Sequence, residues 1–227
     1  MNEVSEKTVY FVRHGKSEGS GLRHFKLPNS CLLEEGIQQS KLIAGRIAKI
    51  NFDLLLSSPI HRVRETAEII SEVANKKVEY SDLFKERIKP SWLFESPSLT
   101  SPKTSIDQEI NQELIERWEK WDKDSHVPGY KSEDGESYDD FIKRVDEALD
   151  FLKDKKEKII VVVTHGFFLQ ALLARILIGD FLTSEIFRNF KNKIKIENTS
   201  ISAIKYVRTK EGMIWRLFVY NDHAHLG

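Results

Sequence analysis

A chain of 227 residues with 40% hydrophobic and 31% charged side chains is long enough for one α/β domain, or for such a domain with an insertion, and too apolar for general disorder. Thirty-five Lys and Arg balance thirty-five Asp and Glu, so no global field exists for gripping nucleic acid or an anionic membrane, and any anion site has to be local. The single cysteine, Cys31, excludes an internal disulfide and a cysteine-rich metal site and fits a reducing, cytoplasmic setting.

The polar start at 1–8 has no apolar signal core. Residues 8–12 form a β-branched and aromatic run too short for a helix, which predicts a buried strand ending in Arg13-His14-Gly15. A loop with Gly15, Gly19 and Gly21 follows, then Ile37, Ala44, Ile47 and Ala48 at helical spacing, then a second strand over 52–56. Ser58-Pro59 reads as a helix start, with the hydroxyl as N-cap and Ile60, Val63, Ala67 and Ile70 on one face. A weaker third strand covers 77–80.

The pattern breaks at Pro90, Pro97 and Pro102, and Ile106, Ile110, Leu114 and Trp118 predict a helix outside the main alternation, so that 82–136 reads as an inserted cap within a single domain spanning 1–227. Ser137 and Asp140 have capping-box spacing and open a helix that turns Phe141, Val145, Ala148 and Leu152 inward. Residues 159–163 are the most strand-like run and end in Thr164-His165-Gly166. The apolar stretch 166–182 is broken by Gln170, Arg175 and Asp180, which predicts a buried helix and no membrane span. Residues 200–207 and 213–220 flank Lys210-Glu211-Gly212 as a hairpin. The expected fold is therefore three-layer α/β/α, with a mostly parallel central sheet and an antiparallel hairpin at one edge.

In such a sheet ligands sit outside the carboxyl ends of the strands. Three ends carry chemistry: Arg13-His14, then Ser57-Ser58-Pro59 leading to His61-Arg62, and Thr164-His165. Two arginines and two histidines converging there suit a tetrahedral phosphate, because guanidinium forks match its oxygens and stay charged. Helices beginning after Ser58 and after His165 would add free N–H groups, and a neutral imidazole can attack phosphorus.

Arg13-His14-Gly15-Lys16-Ser17 resembles the Arg-His-Gly-x-Ser/Thr signature of the histidine phosphatase superfamily, the branch that also holds cofactor-dependent phosphoglycerate mutases. Leu33, Gly36 and Gln39, the 58–67 segment, 84–87, Gly135-Glu136-Ser137 with Arg144, and 163–166 match further family segments in order, over roughly 8–220. The resemblance implies that His14 accepts the phosphoryl group, that Arg13, Arg62 and His165 bind phosphate, and that Glu86 protonates the leaving oxygen and later deprotonates water. Ser17, through its hydroxyl, and Gly166, through its N–H, are further phosphate contacts. No metal or other cofactor is implied, because cationic side chains stabilise the charge. The implied partner is a small phosphomonoester, with no nucleic acid or membrane and with self-association open.

The expected activity is a phosphomonoester hydrolase. A mutase is the alternative, but such mutases usually carry Asn three positions after the loop serine, where this chain has Ser20, and 88–130 shows no basic cluster, Lys103 and Arg117 being isolated. An inactive phosphate-binding module is a third reading, opposed by the intact Arg13, His14, Arg62 and His165. Two other motifs fail on context. A P-loop would need glycine where Tyr10 stands, and Gly15-x-Ser17-x-Gly19 lacks the helix and oxyanion loop of a serine hydrolase. Glu95 is the local substitute for Glu86. His61 is expected on a solvated or packed helix side, and His223 and His225 in a mobile tail and not at a metal. Trp92, Phe94, Trp118, Trp121 and Tyr130 would line a leaving-group pocket or pack a core.

Overall fold

Alternation along the strands divides the core in two. A computed structural model of the chain describes residues 6–18, 29–94 and 105–227, the side chains of 105–111 excepted. Its first half runs β1 (Lys7–Arg13), α1 (Glu34–Ile47), β2 (Leu54–Ser57), α2 (His61–Ala74), β3 (Val78–Tyr80) and α3 (Ser105–Asp124). Its second half runs α4 (Tyr138–Asp154), β4 (Ile159–Thr164), α5 (Gly166–Ile178), α6 (Ser184–Lys191), β5 (Ile201–Thr209) and β6 (Gly212–Asp222). The sheet order is β3-β2-β4-β1-β5-β6. The first four strands pair in parallel, and β5 and β6 add antiparallel at one edge, as expected.

Val9, Phe11, Leu54, Leu56, Ile160 and Val162 face α4, α5 and α6, whereas Val12, Leu55, Val161 and Val163 face α1 and α2. A strand buried on both faces has no solvent side to show polar residues, which is why these runs are continuously apolar. The capping box opens α4 as expected: Ser137 Oγ accepts from the Asp140 N–H at 3.1 Å while the Asp140 carboxylate accepts from the Ser137 N–H at 3.3 Å. No described helix is long and apolar enough to cross a membrane.

Three expectations need correction. Ser58 does not cap α2, because its hydroxyl lies 3.0 Å from His165 Nε2 and the chain stays extended through Ile60, the actual N-cap residue. The helix α6 was absent from the sequence pattern. Its signals are Thr183, whose hydroxyl accepts from the Ile186 N–H at 3.3 Å, and a buried Phe187. The C-terminal end is docked: Asp222 pairs with Arg46 of α1, and His225 Nε2 lies 3.1 Å from Thr199 Oγ1. Gly19, Ser20, Gly21, Glu95, Pro97, Pro102 and Lys103 lie outside the described residues.

Between β3 and α4 the chain forms two single turns, Asp82–Phe84 and Ser91–Leu93, and then α3. Buried Arg87 ties this segment to the rest, donating to Asp122 (3.0 Å), Ser125 Oγ (2.5 Å) and the Glu136 carbonyl (2.9 Å), with the Trp121 ring 4.6 Å away. Beside it His126 is buried against Tyr138, and neither ring nitrogen has a hydrogen bond. Desolvation, with Arg87, Lys191 and Arg188 adding to it against Asp122, holds His126 down at about 4 from an ordinary 6.5. A depressed folded value means the unfolded chain takes the proton first. The stability from this residue is complete above 6.5 and is lost as pH falls from there through about 4. His126→Phe should therefore flatten the loss of urea midpoint between pH 7 and 4.5; an unchanged slope would remove His126 from the account.

Candidate active site

Register brings the key residues together. In the β1–β4 pair Arg13 lies opposite Thr164, so the next residues, His14 and His165, leave the sheet side by side with ring centroids 5.5 Å apart. On the other flank of β4, Ser57 lies opposite Val163, which places Ser58 and the first turn of α2 with Arg62 against the same strand end. His14, His165 and Arg62 are 2%, 0% and 5% exposed, so the site sits in the protein and not on it.

One arginine reads both rings. Arg62 Nε donates to His14 Nε2 at 3.3 Å, Nη2 donates to His165 Nδ1 at 3.2 Å and Nη1 donates to Ser30 Oγ at 3.3 Å. Guanidinium only donates, so both facing ring nitrogens must carry lone pairs. His14 Nδ1 then bears the proton and donates to the Gly15 carbonyl at 2.7 Å, and His165 Nε2–H donates to Ser58 Oγ. Both imidazoles are thus neutral, and the His14 Nε2 lone pair points into the cluster. A lone pair held next to a cation that can take phosphate oxygens is the arrangement for attack on phosphorus.

The loop after β1 is held by exact fit to α1. The Gly15 N–H donates to Thr66 Oγ1 at 3.1 Å and the Lys16 N–H to Gln39 Oε1 at 3.0 Å, while Asn198 Nδ2 donates to the His14 carbonyl at 2.8 Å. A Cβ on Gly36 would lie 1.9 Å from the Lys16 carbonyl oxygen, and one on Gly15 2.4 Å from the Gly36 oxygen. Backbone cannot step aside as a side chain can. Gly36→Ala should therefore displace the loop, costing about 1–3 kcal/mol in urea unfolding together with most of the activity. A stable, active variant would contradict this packing. Ser17 is fully buried in a bridge to Leu32.

Arg13 donates from Nη1 to the Ile196 carbonyl, and its buried Nε has no hydrogen-bond partner among the described residues. Gly166 makes room for it, since a Cβ there would be 3.1 Å from Arg13 Nε. Desolvation lowers the Arg13 and Arg62 guanidiniums from their ordinary range, and Glu86 opposes this in both. The Glu86 carboxylate accepts from the N–H of Phe167 (3.3 Å) and of Phe168 (2.9 Å) at the start of α5. These N–H groups are therefore not free for phosphate, contrary to expectation, because Glu86 reaches the helix end first.

Behind Glu86 lies a clamp. Arg144 donates to both Glu136 oxygens at 2.6 and 2.7 Å, and to the carbonyls of Leu83 (3.0 Å), Lys85 (2.9 Å) and Glu86 (3.3 Å). The Thr164 hydroxyl donates to the Phe84 carbonyl at 2.7 Å, so β4 places this segment as well as His165. Lys89 was missed in the sequence. Burial lowers its ammonium; Glu86 opposes that, and Arg62 adds to it. The ammonium lies 5.0 Å from the Trp118 ring centre. Trp121 packs under Arg87, and Arg117 lies 4.0 Å over Trp92. His61 is half exposed, beside Glu65.

The family model of the histidine phosphatase superfamily (branch 1) matches residues 9–222. The chain belongs to that superfamily. A curated relative from Photorhabdus laumondii named "Probable phosphoglycerate mutase GpmB" is 28% identical over 200 residues, covering 87% of this chain and 84% of its own. Bacillus stearothermophilus YhfR has a similar fold, with a TM-score of 0.75 at 23% identity over 97% of this chain and 100% of that one. A mycobacterial glucosyl-3-phosphoglycerate phosphatase superposes with a TM-score of 0.69 at 21% identity over 96% and 100% of the two chains. The superfamily thus places phosphatases and mutases on one fold, and the reaction has to be argued from the site.

Proposed function

We propose that the protein is a metal-independent phosphomonoester hydrolase that works through a phosphohistidine on His14, on a small cytoplasmic metabolite, with no nucleic-acid or membrane partner. The observation that carries this reading is the donation by Arg62 to both rings, which fixes the His14 Nε2 lone pair toward the positive charge that phosphate oxygens would also meet. In the first step a His14 Nε2–P bond forms as the ester P–O bond breaks, and Glu86 gives its proton to the leaving oxygen. In the second step water forms the new P–O bond, the N–P bond breaks, and Glu86 takes the proton. Arg13, Arg62 and His165 hold the equatorial oxygens throughout, with the Ser17 hydroxyl and the Gly166 N–H as further phosphate contacts. The segment 82–136 acts as a cap that meets the leaving group.

Phosphoglycerate mutase is the second reading, favoured by the name of the curated relative. Phosphate release from a panel of phosphomonoesters in EDTA, with 3-phosphoglycerate included and His14→Ala as control, separates the two. Release that survives chelation and vanishes in the variant is expected. Isomerisation outrunning release would make it a mutase, and neither activity would make it a binding module.

Glu86→Gln should slow single-turnover phosphoryl transfer from alkyl phosphates by roughly 10²–10⁴-fold and from nitrophenyl phosphate far less, because nitrophenolate leaves without a proton. Equal slowing of both would take the acid role from Glu86.

A further inference from the structure

At the rim of the site, a cysteine and a histidine thirty positions apart in the chain meet over a carboxylate. The Sγ of Cys31, a ring nitrogen of His61 and a carboxylate oxygen of Glu65 all lie within 4.8 Å of one another. His61 and Glu65 stand one turn apart on α2, with Nδ1 and Oε2 at 3.4 Å. Glu65 is held in place from the other segment, since its Oε2 accepts from the Leu32 N–H at 2.8 Å. A carboxylate that is itself hydrogen-bonded is the usual support of a metal ligand.

We propose that Cys31, His61 and Glu65 form a site for a thiophilic divalent cation of the zinc class. Thiolate, imidazole and carboxylate are the ligand set that zinc takes, and with three protein ligands a fourth, outward position is left to water. Tetrahedral ligands at zinc distances lie about 3.3–3.8 Å apart, so closure needs movements of about an ångström, chiefly from the exposed Cys31 and His61 toward the fixed Glu65. The local field favours a cation. Glu18 accepts from the Cys31 N–H at 3.2 Å, which sets a second carboxylate near the thiol. Binding forms the metal–sulfur bond and releases the thiol proton to solvent. It would also staple two walls of the active site, because Ser30 precedes Cys31 and accepts from Arg62, which follows His61.

The test is titration of the chelator-stripped chain with zinc chloride by calorimetry, and with cobalt(II) chloride by absorption. One equivalent per chain is expected, with a thiolate-to-cobalt charge-transfer band. Cys31→Ser should abolish the band, and Cys31→Ser and His61→Ala should each weaken zinc by at least roughly tenfold, while Glu68→Gln, one turn on along α2, changes nothing. No binding, or zinc affinity untouched by either Cys31→Ser or His61→Ala, would overturn the site. These readouts are independent of the reaction proposed for His14.

Discussion

Arg62→Ala is expected to cut kcat/KM for phosphomonoester hydrolysis by on the order of 10²–10³-fold or more while leaving the melting temperature unchanged or higher. The two effects share a cause. The guanidinium is 5% exposed and desolvated near a second, half-buried guanidinium, Arg13, so it is held at a cost in the resting protein. That same placement lets it donate to both imidazoles and stay aimed where phosphate oxygens would sit. Arg62→Lys should not rescue activity, because one ammonium cannot reproduce three separate donations to His14, His165 and Ser30. Steady-state kinetics with thermal unfolding check this. Loss below tenfold, or full rescue by lysine, would contradict the role given to Arg62.

Arg144→Met should show the opposite balance, a large loss of stability with His14 intact. Its side chain and that of Glu136 are 12% and 11% exposed, and they pair through two short bonds. Removing one partner strands a buried carboxylate and leaves the carbonyls of Leu83, Lys85 and Glu86 without this donor, a loss of about 3–5 kcal/mol in urea unfolding. Replacing both partners, as Arg144→Met with Glu136→Leu, should recover part of it, since no buried charge is then left alone. Because the clamp fixes the backbone of Glu86, folded Arg144→Met should also lose rate on alkyl phosphates more than on nitrophenyl phosphate. A stability loss under about 1 kcal/mol would show that the pair behaves like a surface salt bridge.

The strands and their polar ends were legible in the sequence because period and burial agree there. Residues 9–12, 54–56 and 159–163 are apolar without a break, and only a two-sided sheet makes use of that. Which ends are neighbours was not legible. The pairing of Arg13 with Thr164, which sets His14 beside His165, is a long-range register that local pattern does not encode. Ser58 misled for a related reason: Ser-Pro is a sound cap signal, but tertiary contact with His165 takes its hydroxyl first. Glu136 and Arg144 were visible as a family motif, whereas their work, holding three carbonyls around Glu86, needed coordinates.

The most direct test of the account is to mix the protein with a ³²P-labelled phosphomonoester, quench within the first turnover, and map the label. A base-stable, acid-labile phosphoenzyme on the peptide containing His14, absent from His14→Asn, is the result expected. Label that never appears on protein while product forms, or product formation that continues in His14→Asn, would contradict transfer through His14.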